Sequence, residues 1–114
     1  MAYNMTLDEY QTLAERTVKK TPDYTQERQY LDLTLGLAGE AGEAANYIKK
    51  CIFHGHDMDR TKLAEELGDC LWYIATLAET AGFYLSNIAG GNIEKLKRRY
   101  PDGFSEERSR ERTE

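Results

Sequence analysis

A chain of 114 residues with 40% apolar and 31% charged side chains suits one compact domain, long enough to bury a core without disulfides or a structural metal. No apolar run approaches the roughly 20 residues of a membrane span, and the opening "MAYNMTLDEY" has neither the basic segment nor the apolar stretch of a secretion signal, so a cytoplasmic location is expected. The formal charge of −5 argues against general nucleic-acid binding, which calls for a basic stripe.

Long segments of Leu, Ala, Glu and Lys favour helix, and only two prolines interrupt them. The first predicted helix opens on a capping box, Thr6 with Glu9 three residues on, and runs to about Lys19. Leu7, Tyr10, Leu13, Ala14 and Val18 share one of its faces. "TPDY" then breaks it through Pro22. A second helix is predicted over about 27–53, ending near Gly55 as a C′ residue. After the loop "HGHDMD", Asp59 or Thr61 can cap a third helix that stops at Gly82. Ser86 can cap a fourth, which ends before Pro101. Residues 1–104 are thus expected to form a single all-α domain, a bundle of four to five helices with antiparallel central helices. Residues 105–114 are charged, lack apolar anchors and are expected to be a frayed tail. Cys51 and Cys70 lie in apolar-periodic segments and are expected to be buried free thiols.

The second helix contains a puzzle, "GLAGEAGEAANYIKK". Each helix-interior glycine costs about 1 kcal/mol against alanine, and two glutamates three apart cost a few tenths more. The helix has an apolar stripe of Leu31, Leu35, Ala38, Ala41, Ala45, Ile48 and Ile52. Its opposite face carries Leu33, Gly36, Glu40, Glu43 and Tyr47. A helix with something to bury on two sides is central in a bundle or lies at a subunit interface.

The third helix repeats the acid spacing in "LAEELGDCLWYI": Glu66 and Asp69 are three apart and share a face with Tyr73. They lie at the edge of a stripe of Leu63, Leu67, Cys70, Ile74 and Leu77, and so lean toward the bundle. The short loop makes the two helices antiparallel neighbours. Four carboxylates facing one another in a partly dry cleft must take up protons or bind a cation. An all-oxygen site without His or Cys suits Mg²⁺ or Mn²⁺. Gly36, Gly39 and Gly42 would remove bulk beside the acids, so that a neighbouring helix or a ligand can approach the backbone. The competing explanation is close helix packing with solvated acids.

Glu40-x-x-Glu43, then 22 residues, then Glu66-x-x-Asp69, followed by "NIEKLKRRYPDGF", resembles the MazG-like all-α nucleoside triphosphate pyrophosphohydrolases over about residues 33–104. The resemblance implies a helical bundle working as a homodimer or homotetramer. It also implies Mg²⁺-dependent cleavage of a nucleoside triphosphate, a deoxynucleotide among the options, to monophosphate and pyrophosphate. A role in cleansing the nucleotide pool would follow. Glu40, Glu43, Glu66 and Asp69 match the family's metal ligands, with Glu43 or Glu40 as the base that activates water. Asn92 and Lys95 match the N-x-x-K of the final helix, where such residues face phosphates. Arg99 lies on the same helical face, at i+7 from Asn92, and is counted with them. Tyr47 and Tyr73 share faces with the acids and can line a nucleotide pocket or pack within the bundle.

Two rivals remain open at this level: phosphoribosyl-ATP pyrophosphatase, which resembles this fold and chemistry, and a non-catalytic helical interaction module. His54-x-His56 sits in a loop without an obvious third ligand, which argues against a transition-metal site. No Glu-x-x-His occurs on any predicted helix, which argues against a ferritin-like di-iron centre. Trp72 falls off the third helix's stripe, which suggests an oligomer interface or a stacked base.

Overall fold

The computed structural model describes residues 2–111. Among these described residues five helices follow one another: α1 (Leu7–Glu15), α2 (Gln26–Phe53), α3 (Arg60–Ala81), α4 (Leu85–Arg99) and α5 (Glu106–Arg110). No strand forms among the described residues, and no helix is long and apolar enough to cross a membrane.

The N-cap forms as expected, with the Glu9 N–H donating to Thr6 Oγ1 at 3.0 Å, but the Glu9 carboxylate accepts the Thr6 hydroxyl rather than the backbone N–H of a full capping box. The helix ends at Glu15, four residues short of the expected end. The Thr17 hydroxyl turns back to the Ala14 carbonyl and accepts the Trp72 indole N–H at 2.7 Å, which draws the chain off the helical path. Thr25 caps α2, and Gly55 takes the left-handed conformation (φ +70°) that lets the chain leave it. Asp59 caps α3 by accepting the N–H groups of Thr61 and Lys62. Gly82 closes α3 at φ +81°, and the Phe83 N–H returns to the Ala78 carbonyl in a Schellman-type ending.

Ser86 does not cap α4; Tyr84 holds that position without a side-chain bond. The cap comes from α1 instead. Asp8 accepts both the Ser86 N–H (2.9 Å) and the Ser86 hydroxyl (2.6 Å), and Gln11 Oε1 accepts the Leu85 N–H (2.7 Å). These bonds hold Asp8 below its usual carboxylate range. Residues 106–110, expected to fray, form the short α5, and the Arg108 guanidinium donates to the carbonyls of Arg98 and Arg99. The last three residues of the expected tail, 112–114, lie outside the described ones.

The antiparallel pair α2–α3 is the frame. Its register reads off the side-chain contacts: Gln26 and Gln29 bond Thr80, Gly36 meets Tyr73, and Tyr47 bonds the Asp59 backbone. The small core sits on the other side of α3. Ala14, Ala75 and Leu85 pack there with Tyr10 and Trp72 against them. Trp72 therefore belongs to the α1–α3 core of the single chain, and its N–H reaches Thr17.

The faces of α2 are used in the opposite sense to their hydrophobicity. Leu33, on the acid-bearing face, is 1% exposed, whereas Leu31 and Leu35 of the long apolar stripe are 60% and 64% exposed. The acid face packs on α3 and the stripe points away. Cys51 and Cys70 are free and half-buried.

Candidate metal centre

The register of the helix pair brings Glu40 and Glu43 of α2 opposite Glu66 of α3. One carboxylate oxygen from each lies within 4.8 Å of the other two. Helix geometry explains the meeting: three residues along a helix is about 4.5 Å of rise, so Glu40 and Glu43 straddle the level of Glu66. Glu40 and Glu66 are half-buried, while Glu43 opens to solvent.

Asp69 is not among the three converging oxygens. It sits one turn further along α3, where its charge acts both on Glu40 and on Tyr10 of α1. Burial raises the Glu40 carboxyl above its ordinary value of 4.5, and the charges of Glu43, Asp69 and Glu66 push it the same way. Glu40 Oε2 and Glu66 Oε2 are buried and receive no hydrogen bond from the protein. Such oxygens are satisfied by a proton shared between Glu40 and Glu66, which also raises the Glu40 carboxyl, by an ordered water, or by a cation. The donors are all oxygen, so the site fits a hard divalent ion better than a thiophilic one. Among the described residues this triad is the one group of three or more candidate ligands that converges. The rings of His54 and His56 lie 6.4 Å apart in the loop without joining it.

The glycines divide. A Cβ on Gly36 would overlap the Tyr73 ring, so this position must be glycine for α3 to sit at this distance. A Cβ on Gly39 or Gly42 would meet nothing within 4 Å, so the chain's own packing does not use their small size. Tyr73 packs against Gly36 and stands edge-on to Trp72 with ring centroids 5.0 Å apart.

A cavity of about 410 Å³ opens onto the acids, with Glu43 and Glu66 in its wall. Tyr47 lines it beside Asn46, and Lys50, His56 and Lys62 close its far side. Asn92, Lys95 and Arg99 of α4 do not line this cavity; Asn92 is exposed, and Lys95 and Arg99 are half-buried. The sequence pointed to the α4 residues and passed over Lys50 and Lys62. The available signal was register: Lys50 lies seven residues beyond Glu43, and Lys62 four before Glu66, both on the acid faces.

Antiparallel helices that gather unpartnered carboxylates around one point, beside a cation-lined cavity, define an all-α domain whose centre suits a divalent ion. Residues 28–104, more than half of the chain, match the family model of the MazG nucleotide pyrophosphohydrolase domain, and the chain belongs to that family. It is 41% identical over 78 residues to the gene 37 protein of Mycobacterium phage L5, a stretch covering 62% of this chain and 66% of that relative. No solved structure matches the chain significantly.

Proposed function

We propose that this protein hydrolyses a nucleoside triphosphate between the α and β phosphates, with Mg²⁺ held by Glu40, Glu43 and Glu66 and supported by Asp69. Mn²⁺ suits the same donors. The observation that carries this reading is the buried, unpartnered pair Glu40 Oε2 and Glu66 Oε2 within the acid triad. When bound, the ion supplies Lewis acidity toward the phosphate oxygens and the attacking water.

The chain's own residues divide the remaining work. Glu40 and Glu66, half-buried, hold the centre from the two helices. Glu43 is exposed and lines the cavity, so it has the access needed to accept a proton from the attacking water. Asn92, Lys95 and Arg99 lie together on α4 and are suited to phosphate by charge-assisted hydrogen bonds. A homodimer or homotetramer, a cytoplasmic location and a part in clearing the nucleotide pool complete the proposal. The exposed Leu31 and Leu35 support the assembly.

The test is an incubation with a panel of nucleoside triphosphates and phosphoribosyl-ATP, with Mg²⁺ or with EDTA, followed by product identification. Monophosphate and pyrophosphate are expected, abolished by EDTA. Glu43→Gln is expected to lower kcat by roughly 100-fold or more, the usual scale of a lost general base. Orthophosphate and diphosphate would refute the bond assigned. Turnover of phosphoribosyl-ATP alone would move the substrate to that rival, and no turnover with no Mg²⁺ binding would make the domain a non-catalytic module.

A further inference from the structure

The helix pair is polar along its length. On α2, Glu43, Tyr47 and Lys50 follow one another along the face that meets α3. On α3, Lys62 and Glu66 do the same. Seven residues of α2 separate acid from lysine, about 10 Å of rise, and four residues of α3 separate them by about 6 Å. Because the helices are antiparallel, both lysines fall at the loop end of the cavity and both acids toward its middle.

Several contacts fix this basic end. The Lys62 ammonium lies 4.9 Å from the centre of the Tyr47 ring. The Tyr47 hydroxyl is held by the Asp59 backbone, as acceptor from its N–H and donor to its carbonyl. The His56 N–H donates to the Lys50 carbonyl at 3.3 Å, which draws the loop histidine back beside that lysine. Helix stability explains Lys62 only in part, through Glu66 four residues on. Lys62 lies in the first turn of α3, which carries no acidic residue and where the helix dipole disfavours a cation. Among the described residues, neither Lys50 nor Lys62 forms an ion pair with a carboxylate.

We infer that Lys50 and Lys62, with His56 beside them, form the subsite for the leaving pyrophosphate, so that the triphosphate lies with its terminal phosphates toward the α2–α3 loop. This assignment rests on the proposed hydrolysis and adds a direction to it. Pyrophosphate is a dense anion that two unpaired ammonium groups and a metal can grip from opposite ends. The nucleoside monophosphate half lies away from the lysines.

Calorimetry with inorganic pyrophosphate in Mg²⁺ tests the subsite. The proteins compared are the wild type, K50Q/K62Q, K50R/K62R and K49Q, whose lysine does not line the cavity. The double glutamine variant should bind pyrophosphate about tenfold or more weakly, the scale of two lost charge-assisted bonds. K50R/K62R and K49Q should stay close to the wild type. Mn²⁺ binding without pyrophosphate, read by electron paramagnetic resonance, should not weaken in any of them. Equal pyrophosphate affinity in the wild type and K50Q/K62Q would overturn the assignment, as would a wild type that binds none. Joint loss of Mn²⁺ and pyrophosphate binding would also overturn it, since the lysines would then act through the fold. Failure of the hydrolysis reading shows separately, as a wild type that turns over no triphosphate in the product assay.

Discussion

At Glu40, burial and three neighbouring carboxylates act on one side chain in the same direction. It holds its proton more tightly in the folded chain than in the unfolded one. Its contribution to the stability of the metal-free protein is therefore full below its ordinary value of 4.5 and is lost as pH rises through the raised folded value. A divalent ion held as proposed would compete for the same oxygens. Mn²⁺ binding is accordingly expected to strengthen with pH across that window and to release protons. Titrations in two buffers of different ionisation enthalpy would show the release, and its absence would mean that Glu40 is not a ligand. The spacing of the four acids was legible because it is a property of the helix alone; that Glu40, Glu43 and Glu66 converge without Asp69 was not. Nor was Gln11. It is 3% exposed and joins three elements, donating to Glu79 and to the Phe83 carbonyl while accepting from Leu85. Nothing in the local pattern of α1 marks it, because its partners lie about 70 residues away.

The elements followed local chemistry except where another element intervened. Capping by Thr6, Asp59 and Gly82 involves neighbours within a few residues, and all three appear. The start of α4 depends on Asp8 and Gln11 from the other end of the chain, which displaced Ser86 from the expected role. Within α2, Gly36 and the Tyr73 ring are the close approach that sets the α2–α3 distance. Gly36→Ala gains about 1 kcal/mol of helix propensity. It loses about 1–3 kcal/mol by overpacking, so the variant should be less stable in denaturant titrations. Placed on a Tyr73→Ala background, the same change should become neutral or stabilising. Additive effects in that double-mutant cycle would show that the two residues do not press on one another.

At the scale of the molecule, the single chain is open. Its radius of gyration is 17.3 Å, where a compact chain of this length should have roughly 13 Å. Among the described residues the buried apolar ones are only Ala14, Val18, Leu33, Ala75, Ala78 and Leu85, while Leu31, Leu35, Leu67 and Ile93 are at least half exposed. A second copy covering the α2 stripe would account for both facts, and Gly39 and Gly42 would give it a flat surface. The wild type is expected to sediment as an oligomer at micromolar concentration, and Leu31→Glu with Leu35→Glu should dissociate it. A wild-type monomer under those conditions would leave the stripe without a protein partner.

By itself, the sequence determined the all-α architecture, the helix order, the caps made by near neighbours and the two acid pairs. Each follows from 3.6-residue periodicity and short-range hydrogen bonding. The tertiary structure decided which face of α2 meets α3. A pattern records that a face is apolar or acidic but not which surface will cover it, and here the acid face turned inward. Packing of α1 on α3 put Trp72 in the core, and packing of α2 on α3 used one glycine of three and aligned Lys50 and Lys62 with the carboxylates. Those outcomes depend on the register between two helices, a quantity no single segment contains.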